Sequence, residues 1–149
     1  MKLFATTRGI RSHTDGEVPV QLGAATAAVI AAALLYYALF NYRLDYVGHM
    51  LAGFGGTLGV LSVLLFGGSR RLGWSAVVVT IVAIQLGAVA EASVFRIAIF
   101  DPVDFVNQSL GACLACAAVI GRRPSPSFGF GAGALAVAAL VAGFILAFS

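Results

Sequence analysis

Charge is what this chain has least of. Only 10% of its 149 residues are Asp, Glu, Lys or Arg, while 60% are hydrophobic, and the mean hydropathy is +0.99. A water-soluble domain carries about 25% charged residues, because its surface must face water. This chain cannot cover such a surface, so lipid is its expected solvent. Cysteine is scarce too. Cys113 and Cys116 form a C-x-x-C inside an apolar run, without the helix start or second ligand pair that a redox or zinc site uses. They read as small buried helix residues. With His13 and His49 as the only histidines, there is no H-E-x-x-H, and no nucleophile–His–acid set is visible. The net charge of +3 comes from bases scattered between apolar runs, not from a stripe that could track phosphates. Nucleic acid is therefore not an expected partner.

What the chain does have is long apolar runs. Five stand out, at about 18–40, 47–66, 74–95, 101–120 and 128–148. A spanning helix needs about 20 apolar residues, so each is long enough or nearly so. The expected fold is all-α: a polytopic transmembrane bundle of about five helices over residues 18–149, the lipid bilayer its first partner. Residues 1–17 hold Lys2, Arg8 and Arg11 but no apolar core, and read as a cytoplasmic or interfacial lead-in, not a signal peptide. Thr14-Asp15-Gly16-Glu17 reads as a capping box before the first helix. The linkers 67–71 and 121–126 are short and polar, which suits antiparallel neighbours.

Seven of the nine Lys and Arg fall on one side: Lys2, Arg8, Arg11, Arg70, Arg71, Arg122 and Arg123. Arg43 and Arg96 are left for the other. Positive charge stays cytoplasmic, which predicts an inner (plasma) membrane protein with its amino terminus inside and its carboxyl terminus outside. The small-residue pairs Gly55/Gly59 and Gly129/Gly133 have the G-x-x-x-G spacing that lets helices pack closely.

Helix direction then gathers the polar residues at the outer face. The second helix starts there, with Asp45 at its mouth and His49 one turn inward. The third helix ends there, carrying Glu91. The fourth begins there with Asp101-Pro102-Val103-Asp104, followed by Asn107 and Gln108. Asp101 reads as an N-cap with Pro behind it, and Asp104 falls at N3. Asn107 and Gln108 suit either interhelical hydrogen bonds or ligand contact. Arg43 and Arg96 flank the group and suit headgroup anchoring. His49 and Glu91 are the least easily dismissed, since an ionisable group inside a span costs about 2.5–3.5 kcal/mol and normally faces a partner or cavity.

These residues carry a resemblance. Asp45-Tyr46-Val47-Gly48-His49 opening one helix, Glu91 late in the next, and Asp104-Phe105-Val106-Asn107-Gln108-Ser109-Leu110-Gly111 opening another resemble the VanZ-like family of small membrane proteins, over residues 42–120. Asp104 and Gly111 fall at the family's spacing. Val94 stands where the family has Gln. Arg96 remains from an eroded loop motif, and Gln108 takes the Asn position with Asn107 beside it. The resemblance implies an association with the bacterial envelope and with glycopeptide resistance, and no settled reaction.

Three functions compete. One is an envelope-associated binding or accessory protein whose polar site holds a lipid headgroup, a lipid-linked envelope precursor or a partner subunit of a larger membrane complex. Another is a membrane-embedded hydrolase of a lipid-linked substrate, metal-assisted through His49, Glu91 and Asp104 or using one carboxylate as general base. The third is a scaffold or cofactor-holding subunit, with His49 as a candidate tetrapyrrole ligand. The sequence names no cofactor or metal.

Overall fold

In lipid a backbone must close its hydrogen bonds within the protein, and a single apolar run does so only as a helix. The computed structural model of the protein describes residues 17–40, 43–66, 72–93, 100–120 and 126–149, and these are almost wholly helical, with no strand among them. The helices are α1 (Glu17–Leu39), α2 (Leu44–Phe66), α3 (Leu72–Ser93), α4 (Pro102–Val119) and α5 (Pro126–Ala147). All five are long and apolar enough to cross a membrane, which is the build of a multi-pass membrane protein. Residues 1–16 of the lead-in and capping box, residues 94–95 of the third expected run, and linker residues 67–71 and 121–125 lie outside the described residues.

The ends match the expected runs to within three residues, and the largest shift is at α2, which begins at Leu44 instead of Val47. That brings Asp45 into the first turn, where the helix dipole favours a negative charge. At α4 the cap forms as expected: Asp101 is the N-cap, its carboxylate accepts from the Val103 N–H at 2.8 Å, and Pro102 follows. Pro gives up no helical hydrogen bond there, because the first N–H groups of a helix have no partner within it.

α2 is the central helix. Half of its span is buried, against 17% for α1 and 22% for α3 and α5. Met50, Phe54, Leu58 and Leu61 form the middle of the core, joined by Ala115 and Ala118 of α4 and Ala132 and Ala136 of α5. Small residues let backbones approach closely where apolar burial gives helices no advantage over lipid. A Cβ on Gly143 would lie 2.7 Å from the Ala52 nitrogen, and one on Gly55 would lie 2.8 Å from the Ala136 carbonyl oxygen. α2 and α5 therefore meet backbone to backbone. The expected pairs share this unevenly: Gly55 is tight, whereas a Cβ on Gly59 would be 3.8 Å from the Ala136 Cβ and one on Gly133 would be 3.5 Å from the Ser62 Oγ, which are ordinary contacts. An added Cβ would come closest to a neighbouring backbone at Gly48, Gly53, Gly111 and Gly143, all on or against the first half of α2. At the other end Phe66 of α2 meets Phe130 of α5 edge-on, their centroids 4.6 Å apart.

Candidate functional site

The tight end is where α2 and α4 begin and α3 and α5 finish. Gly53 lies against the backbone of Gln108, and Gly111 lies against the Met50 carbonyl and the Phe54 nitrogen, so nothing but backbone separates α2 from α4 here. One turn before Gly53 stands His49, and one turn before Gln108 stands Asp104. The close crossing brings them together: His49 Nδ1 is 3.4 Å from Asp104 Oδ1. The same nitrogen is 2.8 Å from the carbonyl oxygen of Asp45. A carbonyl only accepts, so Nδ1 carries the hydrogen and donates. In the neutral ring Nε2 is then the acceptor nitrogen. The pair is largely shielded, with side-chain exposures of 22% and 14%.

His49 and Asp104 form part of the wall of a groove of about 740 Å³. Gln108 adds a third polar side chain, lying against Gly87 of α3, where a Cβ would meet its amide carbon at 2.7 Å. The remaining wall is apolar: Ala52 of α2, Ala90 of α3, and Leu140, Val141, Phe144, Ile145 and Phe148 at the end of α5. This volume and this ratio of apolar wall to polar groups are those of a small-molecule site.

The other expected residues divide. Asp45 contributes its carbonyl to His49 but turns its carboxylate to Arg43, whose Nε donates to Oδ1 at 2.8 Å and whose Nη2 donates to Oδ2. The Arg43 guanidinium also sits 4.3 Å from the centroid of the Tyr46 ring. Hydrogen bonding to Asp45 raises the Arg43 pKa still further, so it is a fixed cation. Asn107 points away from the groove and is fully buried, its amide without a hydrogen-bond partner among the described residues. Glu91 belongs to the last turn of α3, next to Ala90 of the groove wall, but its side chain lies outside the described residues, as does Arg96. Cys113 departs from expectation: it is exposed, Cys116 is only partly buried, and neither is in a disulfide. Cys116 packs against the buried core, whereas Cys113 does not.

Among the described residues no group of three or more His, Cys, Asp or Glu is placed to hold a metal ion. Of the set His49, Glu91 and Asp104, the structure brings His49 and Asp104 together.

The site also has a wall that the sequence reading left out. The three-helix site becomes a four-helix one, because α5 forms the apolar side. Phe144 and Phe148, one turn apart with centroids at 4.8 Å, are its largest members. Nothing in the apolar run sets them apart from other lipid-facing aromatics. No family model, curated protein or solved structure matches the chain.

Proposed function

We propose that the chain is a VanZ-like binding or accessory protein of the bacterial inner membrane. Its amino terminus is cytoplasmic, and its groove, at the outer end, holds the polar part of an envelope lipid or lipid-linked precursor. The observation that carries this reading is the meeting of His49 and Asp104, from two different helices, on the wall of a groove that is otherwise apolar. Ionisable groups in a span are costly unless they face a partner or cavity, and these two do both. The bias of Lys and Arg supports the orientation. The VanZ-like motif residues supply the polar wall: His49 from the first motif, Asp104 and Gln108 from the last, with Gly111 fixing the helix crossing beneath them.

Native mass spectrometry tests the reading on protein extracted gently from its own membrane, beside a His49→Ala form. The expected result is a defined added mass, lipid or precursor, that is lost in the variant. A protein that carries no added mass in either form overturns the reading and leaves His49–Asp104 as a structural pair.

A further inference from the structure

The side of α3 turned away from the bundle carries a polar side chain. Leu72, Ala76 and Thr80 are buried, and Gly87 meets Gln108 of α4, which fixes the inward side of the helix. On the opposite side Trp74, Val78 and Ile81 are 84%, 55% and 54% exposed, and Gln85 is exposed in line with them. The residues one turn from Gln85 are Ile81, Val82, Ala88 and Val89, which offer it no polar side chain. Gln85 stands eight residues before the end of α3, about 12 Å from it, inside a hydrocarbon core about 30 Å thick. Its two-carbon stem does not carry the amide from there to the headgroups, and hydrocarbon supplies no hydrogen bonds. Among the described residues none bonds to it.

The spacing of this face points to its partner. Trp74, Val78, Ile81, Gln85, Ala88 and Ala92 follow one another by alternating steps of four and three. That is the seam of a left-handed helix pair, with Gln85 at one core position. Copies of one membrane protein insert in the same direction. Two copies related by a twofold axis along the membrane normal therefore bring their α3 helices together in parallel. Each seam residue then meets its own counterpart at the same depth. A carboxylate or ammonium would be repelled by its copy. An amide has both a donating NH₂ group and an accepting oxygen, so two Gln85 side chains satisfy each other.

We propose that the protein pairs with a second copy of itself through this face of α3, the two Gln85 amides hydrogen-bonded across the twofold axis. Ala90, the α3 residue of the groove wall, lies round the helix from the seam, so pairing and the groove use different sides of α3. Full-length copies carrying a donor or an acceptor fluorophore at the amino terminus are reconstituted together in phosphatidylcholine vesicles and diluted with lipid. Energy transfer above the random-proximity level is expected. Gln85→Leu should raise the protein mole fraction of half-pairing about tenfold, the effect of two hydrogen bonds between membrane helices. Gln85→Asn, which keeps the amide, should restore part of that loss. A second measurement locates the face. With Cys113→Ala and Cys116→Ala as background, Val78→Cys should form disulfide-linked pairs under copper phenanthroline. Val137→Cys on α5, 62% exposed as valine, should not.

Transfer at the random-proximity level overturns the proposal. So does pairing that is indifferent to Gln85→Leu, and so does equal cross-linking at the two cysteine positions, since each places any contact between copies on another face.

Discussion

One nitrogen of His49 faces two oxygens from different helices, the Asp45 carbonyl at 2.8 Å and Asp104 Oδ1 at 3.4 Å. The first contact is internal to α2 and orients the ring. The second sets the α2 ring beside the Asp104 carboxylate of α4, and it becomes an ion pair only when the imidazole is protonated. Polar contacts between membrane helices are worth about 0.6 kcal/mol on average and about 1.7 at most, because the unfolded chain also finds partners. A double-mutant cycle on His49→Ala and Asp104→Ala, measured by reversible unfolding in mixed micelles, should return a coupling in that range. Additive losses would show that the pair does not act as a unit.

The crossing beneath that pair depends on the absence of side chains. A Cβ on Gly111 would lie 2.7 Å from the Phe54 nitrogen and still closer to the Met50 carbonyl, both backbone atoms that cannot turn aside. Gly111→Ala must push α4 off α2, and overpacking of this kind costs about 1–3 kcal/mol or more. Gly131 of α5 has nothing within 4 Å of its added carbon. Gly131→Ala should be neutral, or stabilise by up to about 1 kcal/mol through helix propensity. Equal effects at the two sites in thermal or detergent unfolding would refute the packing argument.

This contrast marks what was legible in the sequence. The five helices were, because a backbone in lipid has few other ways to satisfy itself. The Asp101 cap was as well, since Asp followed by Pro has a local mechanism. Helix direction alone brought His49 and Asp104 to one level. Rotation about each axis was harder. Gln108 reaches the groove and its neighbour Asn107 the core, yet α4 is apolar on both its protein and lipid sides, so no hydrophobic stripe says which residue faces which way. The Asp45 carboxylate was misplaced for a local reason: Arg43, two residues away, folds back to hold it. The α5 wall was invisible because Phe144 and Phe148 look like any lipid-facing aromatics until a gap opens beside them.

Asn107 makes the rotation testable. Its side chain is 0% exposed and its amide has no hydrogen-bond partner among the described residues. Leaving such a group unsatisfied costs about 1–3 kcal/mol, and an apolar side chain of similar size removes that cost. Asn107→Leu should therefore hold stability constant or raise it by about 1 kcal/mol. A comparable loss in the same unfolding measurement would instead reveal a hydrogen bond from Asn107, through water or a ligand, that stabilises the bundle.

Gly87 offers the cleanest separation of site from fold. A Cβ there would meet no backbone of another helix within its three nearest contacts, only the end of the Gln108 side chain, which can rotate. Gly87→Ala should therefore leave unfolding almost unchanged, since the helix gains up to about 1 kcal/mol of propensity while the amide moves aside. What it removes is the place where Gln108 lies against α3, and with it one hydrogen-bonding group of the groove. Loss of one neutral hydrogen bond is worth about 1 kcal/mol, so ligand retention should fall about fivefold. Gly87→Ser, with a larger polar side chain at the same point, should weaken it at least as much. If both variants keep full binding and full stability, Gln108 takes no part in recognition, and the polar wall reduces to His49 and Asp104.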